Sequence, residues 1–195
     1  MRYEALMAGM IIGIAALGNV VSITGGSTIF GAILFCVGLV TILFERFKLV
    51  TGNFGNALQG RVSWRDMLAM FIWNAIGVII IALLRKLDTG FESLVPTLEK
   101  LVAAREARGW WRTILAGAGT GFLIQVAVEN YKNNKSAWGI MLPTAMFVFL
   151  GWNHCIADIF YYVLAGSCKD ILLVLMAALG NFIGATVVTI ANWDS

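Results

Sequence analysis

The sequence predicts an all-α integral membrane protein: six transmembrane helices forming an inverted repeat of two three-helix halves, with the second and fifth helices interrupted. Three observations lead there. The 195 residues are 59% hydrophobic and only 13% charged, with a mean hydropathy of +0.83, well beyond the roughly half-apolar composition of soluble domains. Apolar stretches fill nearly the whole chain, and a bilayer crossing takes about 20 residues. Short patterns in the first half return in the second.

The first stretch, 6–24, begins within a few residues of Met1 and lacks a small-residue cleavage pattern. It reads as a permanent helix rather than a removed signal peptide; a retained signal anchor changes little. The second, 28–44, stops at the charged ERFK, 45–48, followed by LVTGN, 49–53. The third is 67–84, and the connection 85–112 alone carries six Lys and Arg. Basic residues fall on both candidate sides of the membrane, so the positive-inside rule fixes no orientation. The fourth stretch is 113–128, the fifth 138–165 and the sixth 171–193, after which the chain ends. The whole is one transmembrane domain, with halves 1–87 and 109–195 linked by 88–108.

AGMIIG at 8–13 returns as AGAGTG at 116–121, and the same offset of 108 lays GAILFCVGLV, 31–40, over GIMLPTAMFV, 139–148. An offset of 107 lays NAIG, 74–77, over NFIG, 181–184. Three helices per half is an odd number, so the halves must insert with opposite topology, about an axis in the membrane plane. Gly9 and Gly13, Gly117 and Gly121, and Gly180 and Gly184 each stand four apart, the spacing that lets helix backbones approach closely in lipid. Direct solute contact is the other role open to these glycines.

The apolar run breaks at ERFKLVTGN, 45–53, in the first half and at GWNHCIAD, 151–158, in the second. Non-helical backbone at membrane depth is tolerated only against protein or a water-filled cavity. Two broken helices in matching positions point to a central site of a transporter. The other reading of 45–53 is that the second helix simply ends at Phe44 in an interfacial loop.

Composition also excludes functions. Cys36, Cys155 and Cys168 have no C-x-x-C spacing and His154 is the one histidine, too few ligands for an ordinary zinc or haem site; buried structural thiols are expected. With no nucleophile–base pair, metal cluster or phosphate loop, an enzyme is not expected, nor a cofactor, nor a nucleic-acid partner. His154 and Asp158 remain, an imidazole and a carboxyl four residues apart in an apolar stretch. Ionisable groups in membranes are costly, which favours function over a satisfied core histidine. Asp158 lies within reach of His154 on one helical face, or else caps or pairs at the helix break. ERFK reads as a solvated helix end with a Glu45–Arg46 pair, or as an electropositive vestibule. The aromatic pairs Trp110–Trp111 and Tyr161–Tyr162, with Trp193, read as interfacial anchors.

At the two breaks the chain resembles the formate/nitrite transporter family, aquaporin-like pentamers of six-helix protomers. LVTGN is similar to the family's Leu-Phe-Thr-Gly-Asn motif, and GRVSW, 60–64, to its following Gly-Arg-(Ile/Val)-(Ser/Thr)-Trp. MFVFLGWNHCIADI, 146–159, resembles Met-Phe-Val-x-x-Gly-Phe-Glu-His-(Ser/Cys)-(Ile/Val)-Ala-Asn-Met, and LGNFIGATVV, 179–188, the family's last-helix Gly-Asn pattern. The resemblance covers nearly the whole chain. It implies a pore lined by Phe35, Leu39 and Phe147 with His154 between constrictions, a movable gate of Leu49, Val50 and Thr51 at the cytoplasmic slit, and Gly121 and Ile124 facing that slit. Val50 replaces the family's usual Phe, Asn153 its Glu, Asp158 its Asn, and Trp73 the Gly of a third-helix Gly-Asn pair. An N-terminal amphipathic segment is essentially missing.

The resemblance implies a cell-membrane channel or transporter for a small monovalent anion or its neutral acid: formate, nitrite, hydrosulfide, acetate or lactate. Transferring a carboxylate-sized ion into an apolar constriction costs about 20 kcal/mol by idealised Born estimates and several after relaxation. A donor near the midpoint, or protonation of the anion, lowers that cost. Histidine serves either, its unperturbed pKa being about 6.5. Asn153 and Asp158 are expected to orient His154 or adjust its proton affinity, so that Asp158→Asn shifts the pH dependence of transport. The alternatives are a channel for small neutral solutes and a membrane assembly protein without transport. A homopentamer in the lipid bilayer follows from the resemblance alone.

Overall fold

The computed structural model describes residues 1–167 and 171–193; Cys168 lies outside them. All regular structure among these residues is helical: α1 (Arg2–Thr24), α2 (Thr28–Phe44), α3 (Phe54–Leu58), α4 (Trp64–Leu87), α5 (Val95–Asn134), α6 (Ala137–Phe149), α7 (Cys155–Ala165) and α8 (Ile171–Ala191). Arg2–Thr24, Trp64–Leu87, Phe91–Asn134 and Ile171–Ala191 are long and apolar enough to cross a membrane, while α2, α6 and α7 are shorter apolar helices.

The helix starts are chemical. Ser27, Ser63 and Ser136 accept the N–H of Phe30, Asp66 and Gly139 at the heads of α2, α4 and α6, satisfying amides that lack an intrahelical partner. Ser63 also donates to Asp66 Oδ2.

The outer faces are apolar, with Ile14, Val21, Ile29, Leu68, Leu83 and Ile190 exposed, whereas Asn19, Thr51, Asn74, Gln125, Asn153, His154, Asp158 and Asn181 are buried. Polar inside and apolar outside is the distribution a bilayer requires.

α1 packs on α4 and α5 on α8, and glycine permits both crossings. A methyl group at Gly9 would fall on the Asn74 carbonyl, and one at Gly184 on that of Ala118. Gly13, Gly117 and Gly180 likewise face Ile81, Ala177 and Ile114. The spacing-of-four glycines therefore serve helix packing.

Both expected interruptions are present, with altered bounds. After Phe44 the chain is non-helical through Val50 and makes one 3-10 turn, Thr51–Asn53, before α3. Leu49, Val50 and Thr51 are all buried, so this segment packs inside the protein; Glu45 and Arg46 just before them are exposed. In the second half the break spans 150–154, ending four residues earlier than expected, so Asp158 sits inside α7.

The linker 88–108 departs further from expectation. It holds a 3-10 turn, Phe91–Leu94, and the beginning of α5, which runs into the apolar stretch through a break at Gly109 with φ 70° and ψ 172°. Its buried stripe, Leu94, Leu98, Val102 and Arg105, has helical spacing, hidden in the sequence by the charges between.

Candidate functional site

Two asparagines hold the two breaks. Asn74 of α4 accepts the Val50 N–H at 2.8 Å and donates to the carbonyls of Lys48 and, on α1, Ala5. Asn181 of α8 accepts the Cys155 N–H at 3.1 Å and donates to the carbonyls of Asn153 and, on α5, Gly117. Each straddles one residue, Leu49 in the first half and His154 in the second. Unwound backbone buried in an apolar interior needs such partners, since each unpaired group is costly.

His154 is the N-cap of α7. Its Nδ1 accepts the Ala157 N–H at 3.1 Å, which puts the ring proton of the neutral imidazole on Nε2, 3.0 Å from Thr51 Oγ1. The hydroxyl of one break thus accepts from the imidazole of the other. Phe147 stacks on the imidazole at 6.0 Å between centroids, and Phe35 meets Phe147 edge-on at 5.9 Å.

These three rings form part of the wall of a cavity of about 200 Å³, together with Asn19, Arg105, Asp158 and Tyr161. Arg105 Nε donates to Asp158 Oδ1 at 2.7 Å, and the pair is almost wholly buried, at 8% and 1% side-chain exposure. The guanidinium also lies 4.4 Å over the ring of Tyr161, whose hydroxyl donates to Asn19. Asp158 Oδ2 accepts from Asn153 Nδ2, and Asn153 Oδ1 in turn accepts from Arg108. Arg108 reaches back from the bend near Gly109 to hold the Gly151 carbonyl through both terminal nitrogens, at 3.2 and 3.1 Å.

His154, Asp158, Phe35 and Phe147 come together at one cavity. Leu39, Leu49, Val50, Thr51 and Ile124 are buried in the core without reaching its wall. Gly121 is placed differently from the expected slit: the space a side chain would take there is filled by the Asn181 backbone, so it belongs to the α5–α8 crossing. Asp158 does not share a helical face with His154, which precedes α7; its two oxygens go to Arg105 and Asn153. Tyr161 and Tyr162 are buried rather than interfacial, while Trp110, Trp111 and Trp193 are exposed. Cys36 and Cys155 are buried free thiols.

Arg105, Arg108, Asn74 and Asn181 are the residues that sequence reasoning missed. In the sequence the two arginines read as linker charge, although Arg105 continues the stripe of Leu94, Leu98 and Val102.

A family model described as formate/nitrite transporter matches residues 1–193. The chain belongs to the formate/nitrite transporter family. A Bacillus subtilis (strain 168) protein described as the uncharacterized transporter YrhG is 25% identical over 201 residues, which cover 92% of this chain and 76% of that protein. A probable formate transporter of Methanothermobacter thermautotrophicus is 24% identical over 162 residues, 68% of this chain and 59% of that protein. Two solved structures, described as a pentameric formate channel with formate bound and an FNT family ion channel, superpose with TM-scores of 0.80 at 20% identity. They cover 98% of this chain and 94% and 88% of their own; at that identity the likeness establishes the fold. Membership of the formate/nitrite transporter family makes the chain an integral membrane transport protein rather than an enzyme.

Proposed function

We propose that the chain is a cell-membrane channel for small monovalent anions, formate foremost among formate, nitrite, hydrosulfide, acetate and lactate, with proton linkage through His154. The observation that carries this reading is the convergence of the breaks: the Nε2–H of His154 meets Thr51, with Phe147 stacked on the imidazole and Phe35 edge-on to Phe147, at the wall of a cavity that also holds Arg105. An anion entering this cavity meets a guanidinium, and then an apolar constriction with one imidazole donor. A proton drawn from the acidic side and joined to the anion at that point lets the neutral acid cross the rings, while the imidazole keeps its Nε2 proton and stays neutral. A second ring proton would have to sit on Nδ1, where the Ala157 N–H now points.

In this proposal α2 with α3, and α6 with α7, are broken crossings, giving six crossings in two inverted halves, 1–87 and 109–195; the matched asparagine clamps support it. The pore path then includes Leu39, Leu49, Val50 and Ile124 beside the cavity residues. The assembly is a homopentamer, by analogy with the formate channel it resembles in fold.

The test is uptake into proteoliposomes of formate, nitrite, hydrosulfide and lactate against urea and glycerol, with and without an inward proton gradient. Acid-stimulated anion uptake that His154→Ala abolishes is expected. Uptake of only the neutral solutes, or none above empty vesicles, would overturn the reading.

A further inference from the structure

Beside Trp152 lies another hollow of about 300 Å³, walled by Arg108, Arg112, Leu115, Ala116, Leu150 and Trp152. Two cations stand over a floor that is otherwise apolar. Among the described residues neither guanidinium has a carboxylate within ion-pair distance. Arg108 donates through its two terminal nitrogens to the Gly151 carbonyl and Asn153, both neutral, bonds that use three of a guanidinium's five N–H donors, and Arg112 lies 5.0 Å over the ring of Trp111.

The level of this groove in a bilayer follows from the chain. The charged beginning of α5 ends at Gly109, and the apolar stretch begins at 113, so Arg108 and Arg112 stand where polar sequence gives way to apolar. Trp110 and Trp111, 61% and 48% exposed, mark the same level, as amphipathic aromatics do at membrane interfaces. Leu115 and Leu150, exposed beside them, offer the surface an acyl chain would cover.

We propose that this groove binds an anionic phospholipid, its phosphate between Arg108 and Arg112 and its first acyl carbons against Leu115 and Leu150. Charge complementarity selects this occupant. A zwitterionic lipid brings its own cation to the same place, and a second protein copy would need an unpaired acid facing both arginines. The site has a route to the pore, because Arg108 holds Gly151 and Asn153, the backbone that leads into His154.

The experiment is native mass spectrometry of the intact protein, released from detergent carrying equal amounts of phosphatidylglycerol and phosphatidylcholine. Phosphatidylglycerol is expected to be retained preferentially. Arg112→Gln, at an exposed position, should lower that preference about fivefold, the factor corresponding to about 1 kcal/mol per basic residue at an anionic surface. Arg65→Gln, an exposed arginine elsewhere, should leave it unchanged. Equal retention of the two lipids by the unaltered protein, or equal losses in the two variants, would overturn the site.

Discussion

Asp158 accepts from Arg105 and from Asn153, and Arg105, almost wholly buried, also stacks on Tyr161. Removing one member of such a buried pair strands the other charge, at a cost of about 3–5 kcal/mol, whereas replacing both with apolar groups of similar volume is often neutral. Asp158→Asn is therefore expected to lower the melting temperature of the detergent-purified protein markedly. The double variant Arg105→Met with Asp158→Leu should recover most of the loss. Equal melting of Asp158→Asn and the parent would mean that the pair does not hold α5 to α7. The sequence announced half of this arrangement. An aspartate in an apolar stretch demands a partner, but the imidazole four residues away was the nearest candidate along the chain. The partner came from a segment whose charges disguised it as linker, and no spacing rule links positions 105 and 158.

At the scale of elements, the helices are set by what their backbones can approach. The sites of Gly9 and Gly184 have carbonyls where a methyl group would go, while a methyl at Gly18 would meet Leu34 at an ordinary 3.5 Å. Gly184→Ala and Gly9→Ala are expected to separate α5 from α8 and α1 from α4, costing at least the about 1–3 kcal/mol typical of overpacking. Gly18→Ala should be tolerated. Thermal melts of the three purified variants decide it, and a Gly184→Ala protein as stable as Gly18→Ala would contradict the crossing described. These glycines were legible because close approach in lipid leaves few alternatives. The tie between α5 and α6 was not. Pro143 lacks an N–H, so the Gly139 carbonyl one turn earlier has no helical partner; Asn130 of α5 donates to it at 3.0 Å. The proline is visible in the sequence, but the asparagine that answers it is found only once α5 lies alongside.

Across the whole molecule two asparagines work alike: Asn74 of α4 grips the break after α2 and the backbone of α1, and Asn181 of α8 grips the break after α6 and the backbone of α5. What differs is the residue held. Asn74 fixes Leu49, an apolar side chain that the proposed function makes a plug, and Asn181 fixes His154, and the Thr51–His154 contact joins the two grips at 3.0 Å. Substituting either asparagine by alanine removes three buried hydrogen bonds, about 1 kcal/mol each, a similar loss of stability in both. Their effects on flux should diverge under the proposed function. Asn181→Ala lets the imidazole leave its place and should depress anion uptake toward the level of His154→Ala. Asn74→Ala loosens the proposed plug without touching the donor, and should admit glycerol, which the parent is expected to exclude. Proteoliposomes with matched protein incorporation, assayed for formate and for glycerol, separate the two. Identical losses in both variants from a monodisperse preparation would mean that the halves act as one rigid frame, and that Leu49 is no constriction.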